Sequence, residues 1–142
     1  MRMAKLPLLI DTHVLWWWEN GMTGHISAAA AHHIEGAERN SEFRVSAMSV
    51  WEIGMLDSQG RLTALPDPLT WVRQSLSIPG RALVPLTPEI AVASTRLPDP
   101  PTGDPVDRIL LATARVENLI LVTADRKLLD YGKRCHVRVL PV

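Results

Sequence analysis

Four acidic residues stand where secondary structure would begin or end: Asp11 in LLIDTH, Glu52 in SVWEIGML, Asp107 in GDPVDRILLATA and Asp125 in LVTAD. Asp104, three residues before Asp107, is a further candidate. Carboxylates gathered at one place repel one another and shift toward protonation unless a cation neutralises them. A hard divalent ion does so, because Mg2+ or Mn2+ takes oxygen ligands in octahedral geometry and keeps several of its waters. The chemistry open to such a site is attack of a metal-acidified water on phosphorus, with the charge of a phosphodiester neutralised at the same time. Each acid alone also has a plainer reading. Asp11, Asp104 and Asp125 suit helix N-caps, and Asp107 suits an acid that complements a helix dipole in its first turn. Asp104-Pro105 repeats Asp67-Pro68 and Thr87-Pro88, which favours capping there. Glu52 resists that reading: Trp51, Ile53 and Leu56 surround it, and a buried carboxylate without a partner is costly.

The elements that must position these acids follow from the hydrophobic pattern. Val106, Ile109, Leu110 and Thr113 recur at helical spacing after Asp104-Pro105, leaving Asp107 on the edge of the buried face. The run Leu119-Ile120-Leu121-Val122 is apolar at every position, as in a parallel strand covered on both faces, and Thr123, Ala124 and Asp125 end it. Leu8-Leu9-Ile10 reads as a second such strand, ended by Asp11-Thr12. Helices are expected over His13 to Glu19, Ala28 to Glu38 behind Ser27, and Ser49 to Leu56. Two more start at Asp67-Pro68 and at Thr87-Pro88, the second running to about Arg96. Phe43 to Ser46 and Ala82 to Leu86 are further strands. The loop Leu97 to Gly103 leads into the Asp107 helix, a short helix from Arg126 to Tyr131 stops at Gly132, and Val137 to Leu140 is a last, edge strand. This alternation predicts a three-layer α/β/α sandwich with a central, mostly parallel sheet of four or five strands. In such sheets ligands bind at the carboxyl edge, where the acids would meet.

The 142 residues, 46% of them hydrophobic, make one domain's worth of core, spanning 1-142. Fifteen basic and fifteen acidic side chains give no net charge, so contact with a polyanion must be local. The single cysteine, Cys135, excludes an intrachain disulfide framework and fits a reducing cytosol, and a cytoplasmic location is expected. Met1 to Lys5 resembles the basic start of a signal peptide, but Pro7 and Asp11 interrupt the apolar run that would follow. No stretch reaches the length of a membrane span. His32-His33, with His25 and His136, make a poor zinc site, because adjacent helical residues point about 100° apart.

Together, LLIDTHVLWW, SVWEIGML, GDPVDRILLATA and LVTAD closely resemble the PIN domain, and within it the VapC-type toxins of bacterial toxin–antitoxin pairs. The likeness spans nearly the whole chain. It implies an α/β/α fold, acids binding Mg2+ or Mn2+, endonuclease action on RNA and inhibition by a cognate VapB-like antitoxin. Carried over by motif, the acids are Asp11, Glu52, Asp107 and Asp125, with Thr12 and Thr123 as polar neighbours. Similar family members often carry a lysine about four residues after the glutamate; Leu56 stands there instead, which removes a basic substrate contact but not the acids. Among the arginines near the acids, Arg108 is the expected phosphate contact. A receiver-like domain would need a second acid beside Asp11, and a dehalogenase-like phosphatase would need Asp at position 13, where His13 stands. A non-catalytic α/β binding module and a metal-dependent DNA nuclease are the remaining alternatives.

Trp16-Trp17-Trp18 cannot all be buried on one helical face, since three successive residues sweep about 200°. One ring is expected to face outward, against a neighbouring segment of the chain, an antitoxin or a second copy in a homodimer.

Overall fold

Two apolar strands form the middle of the sheet because both their faces are roofed by helices. β1 (Leu8–Ile10) has Leu9 and Ile10 fully buried, and β4 (Ile120–Thr123) has Leu121 and Val122 fully buried. Burying each such side chain stabilises the fold by about 1.5–3 kcal/mol. A computed structural model describes residues 6–99, 103–134 and 136–142. Met1 to Lys5, part of the Leu97 to Gly103 loop, and Cys135 lie outside the described residues.

The sheet has five strands in the order β3-β2-β1-β4-β5, with β2 at Phe43–Ser46, β3 at Arg81–Val84 and β5 at Arg138–Pro141. All four pairings are parallel. The chain builds outward from β1 to β3, then crosses back to lay β4 on the other side of β1. The order therefore reverses between β1 and β4, the place where open parallel sheets form a crevice. Successive residues of these strands feed opposite layers. Leu9 and Leu121 pack with α5 (Pro88–Ser94), α6 (Pro105–Val116) and α7 (Arg126–Lys133), through Ile90, Leu110 and Tyr131. Leu8, Ile10 and Val122 pack with α1 (Thr12–Glu19), α2 (Ala28–Arg39), α3 (Ala47–Ser58) and α4 (Pro68–Ser77), through Val14, Ile34 and Ile53. The expected α/β/α sandwich with a parallel sheet is what the chain forms. Among the described residues no helix is long and apolar enough to cross a membrane.

Several boundaries differ from the sequence expectation for identifiable reasons. β3 starts at Arg81 and stops at Val84, because Pro85 has no N–H to continue the ladder. Helix α5 ends at Ser94 rather than near Arg96, and Thr95 closes it. Helix α7 does not stop at Gly132 but continues to Lys133. That glycine serves close packing instead: a Cβ there would lie 2.3 Å from Val139 Cγ2 on β5.

None of the three tryptophans is fully exposed or fully buried; each finds a neighbour. Trp16 meets the Trp71 ring at 5.0 Å, Trp17 stacks on His25 at 4.5 Å, and Trp18 Nε1 donates to Glu38 Oε1 at 2.7 Å. Glu38 and Glu19 in turn pair with Arg81, whose side chain is 3% exposed and whose guanidinium lies 4.4 Å from the Phe43 ring. The run is thus accommodated within the chain, and the exposed tryptophan is Trp51, at 53%.

A glycine-to-alanine change inside a helix ordinarily gains up to about 1 kcal/mol. Gly132→Ala should do the opposite and destabilise by roughly 1–3 kcal/mol, because the stiff Val139 side chain must move. Urea unfolding of the two proteins measures the sign.

Candidate functional site

Asp11 follows the last residue of β1 and caps α1, with Oδ1 accepting from Thr12 N–H at 2.7 Å. Its other oxygen, Oδ2, accepts from the Thr123 hydroxyl at 2.7 Å, which ties the end of β1 to the end of β4. The residue is only 9% exposed, and burial, with the charge of Glu52, raises its pKa against the lowering effect of these two hydrogen bonds. Thr123 also accepts from Asp125 N–H at 3.0 Å, so one hydroxyl positions both Asp11 and the start of α7. The Thr12 hydroxyl donates to Ser49 Oγ at 2.9 Å. Ser49 is fully buried and sits one helical turn before Glu52, so this bond sets α3 against the Asp11 end of α1.

Four sequence-selected acids, with Asp104, line one cleft of about 400 Å3 at this carboxyl edge: Asp11, Glu52, Asp107 and Asp125. Three of the five have capping duties as well. Asp104 Oδ1 accepts from Val106 N–H and Asp107 N–H, and Asp125 Oδ1 from Lys127 N–H and Leu128 N–H. Glu52 is half-buried, less enclosed than its neighbours Trp51, Ile53 and Leu56 suggest, because Trp51 turns outward. Asp107 is the distinctive member. Burial, followed by the charges of Asp104, Asp125, Asp11 and Glu52, pushes its pKa from 3.8 up to about 7. Among the described residues no three acid, imidazole or thiol side chains are already drawn together at ligating distance. The acids are near enough to act on one another's charge while still standing apart.

The positive groups are distributed differently from expectation. Arg108 is not among the residues lining the cleft; its Nε donates to Ser94 O on α5 at 2.9 Å. Arg61 lines the cleft instead, and the sequence reading missed it. Its place is set by the end of α3, where Gly60, at φ +71°, lets Gly60 N–H bond Asp57 O and Arg61 N–H bond Leu56 O. A glycine directly after a helix was the available signal. His13 and Trp17, one turn apart on α1, complete the rim, and Leu56 forms part of the apolar wall.

Residues 8–134 match the model of the PIN domain family. The chain belongs to the PIN domain family. It is 37% identical over 121 residues to ribonuclease VapC22 of Mycobacterium tuberculosis, a match covering 85% of this chain and 88% of that protein. Its fold is similar to that of VapBC2 from Rickettsia felis, solved bound to a DNA fragment from its promoter: TM-score 0.69 at 12% identity, covering 96% and 98% of the two chains. A toxin–antitoxin complex from Klebsiella pneumoniae gives a TM-score of 0.62 at 21% identity, covering 94% and 95%. The four motifs that resemble PIN domains therefore lie in a chain with the PIN fold.

The raised carboxyl of Asp107 makes stability fall with pH. The folded state holds a proton that the unfolded chain has already lost, so stability from this group is present below about pH 4 and is lost as pH rises toward 7. In a chelator-containing buffer, the melting temperature should drop between about pH 4 and pH 7, the interval of that loss, and Asp107→Asn should flatten the drop.

Proposed function

We propose that the chain is a divalent-metal-dependent endoribonuclease and the toxin of a VapBC-type pair. The observation that carries this reading is Asp107: a half-buried carboxyl raised to about 7 by burial and by four other acids around one cleft. The donor set suits a hard ion, since every acid supplies oxygen and, among the described residues, no thiol lines the cleft. Asp11, Glu52, Asp107 and Asp125 would hold Mg2+ or Mn2+, which supplies charge neutralisation and an acidified water when bound. The remaining residues act around them. Thr123 and Thr12 N–H fix both Asp11 oxygens, so the carboxylate cannot rotate away from the cleft. Arg61 brings a guanidinium to the rim, where it meets a phosphate next to the one under attack.

Identity with ribonuclease VapC22 favours RNA as the substrate, and likeness in fold to solved toxin–antitoxin complexes favours a VapB-like antitoxin as partner. Trp51 and Met55, exposed one turn apart on α3 beside Glu52, offer that antitoxin, or a second copy in a homodimer, an apolar anchor near the acids.

Cleavage of a labelled RNA in Mg2+ or Mn2+ tests the assignment. Asp11→Asn and Asp107→Asn should each stay folded and lose at least about 100-fold in rate, the scale of removing one electrostatic element from a catalytic site. Asp104→Asn should be mild, because asparagine caps a helix equally well. Full activity in either of the first two variants overturns the reading. Arg61→Gln should weaken RNA binding and reduce its dependence on salt by about 0.7 in log–log slope, the share of one phosphate contact on a single strand.

A further inference from the structure

The cleft rim carries a feature that the acids do not account for. His13 directly follows the Asp11-Thr12 pair, is exposed, and lines the same cleft. Its ring centroid lies 6.2 Å from that of Trp17, one turn further along α1, and Trp17 lines the cleft as well. Trp17 is braced by the chain itself. Gly21, at φ +64°, reverses the backbone after α1, and the 3-10 turn Thr23–His25 brings His25 against the indole at 4.5 Å and 12° between planes. An aromatic surface held in place beside a cluster of acids has a complement in nucleic acid, since every base presents a π-face.

We propose that His13, whose ring stands tilted at 50° beside the Trp17 that His25 braces, is a stacking surface for one base flanking the phosphodiester at the acids. This inference rests on the ribonuclease reading. A duplex keeps its base faces covered by neighbouring pairs, whereas a loop or single strand can turn a base out onto the ring. Arg61 and the His13–Trp17 pair both line the cleft, giving backbone and base separate contacts. His13 acts here as a positioning and specificity residue through its ring face, with no proton transfer asked of it.

The test uses the Asp107→Asn protein in Mg2+, where the RNA should stay intact, and measures its affinity for three fluorescent RNAs. These are a single strand of about eight nucleotides, the same strand with abasic sugars, and its duplex. His13 is exposed, so replacing it leaves the core untouched. The single strand should bind more tightly than the other two. Adding His13→Ala should weaken single-strand binding roughly 5- to 150-fold, the range measured for loss of one stacked base, and leave abasic binding unchanged. Adding His13→Phe, which keeps a ring but no nitrogen, should stay within about threefold of the parent. Equal loss in His13→Phe and His13→Ala overturns the stacking surface, because the imidazole nitrogens would then be what matters. No loss in either overturns it too, with the ribonuclease reading left standing. Absence of RNA binding by the parent while the wild-type protein still cleaves RNA overturns the stacking surface alone, and absence of cleavage by the wild-type protein as well overturns the ribonuclease reading.

Discussion

The hydrogen bond from the Thr123 hydroxyl to Asp11 Oδ2 is the contact on which the cleft depends. It joins the carboxyl ends of β1 and β4, the two strands between which the sheet order reverses. Because Asp11 is 9% exposed, losing this partner would leave a buried carboxylate oxygen unsatisfied, at a cost of about 1–3 kcal/mol. The same hydroxyl accepts from Asp125 N–H, and the Thr12–Ser49 bond extends the chain of contacts to α3 and Glu52. Acids from three separate parts of the sequence are thereby held on a rigid edge. Their mutual repulsion is opposed by sheet packing that can bear it.

That repulsion is a stored electrostatic cost with a functional sense. A fold with no use for the cluster would lower its energy by replacing Asp107 with a neutral residue, since burial and the charges of four neighbouring acids all raise its pKa. Capping explains Asp11, Asp104 and Asp125 in part, because each has an oxygen on backbone N–H groups at a helix start. Asp107, in the first turn of α6, does no capping. Its position makes sense as one side of a cation site whose other sides come from β1, β4 and α3.

Much of this was legible in the sequence because it rests on local rules. Unbroken apolar runs marked β1 and β4 as two-sided strands, and Asp-Pro or Thr-Pro pairs marked the starts of α4, α5 and α6. The acids were legible because strand ends and helix starts are fixed by the same local patterns. What escaped depends on long-range geometry. Gly132 reads as a helix stop, yet it is the point at which α7 passes close to Val139. Arg108 lies beside Asp107 in sequence, but adjacent helical residues diverge by about 100°, and it bonds Ser94 O on α5. Arg61 is nine residues from Glu52 and reaches the cleft only because the cap at Gly60 folds the chain back. Of the partners open to the tryptophan run, neighbouring segments of the chain are the ones the fold supplies, as Trp71, His25 and Glu38 arrive to meet rings that each stay partly exposed.

The central claim is that the crowded carboxylates at this edge hold a divalent cation in exchange for a proton. Calorimetric titration with Mn2+ near pH 7, in two buffers that differ in ionisation enthalpy, tests it directly. The account predicts saturable binding whose apparent heat differs between the buffers, because the cation displaces a proton from Asp107, and loss of that difference in Asp107→Asn. Absence of saturable binding, or binding with the same heat in both buffers, would contradict it.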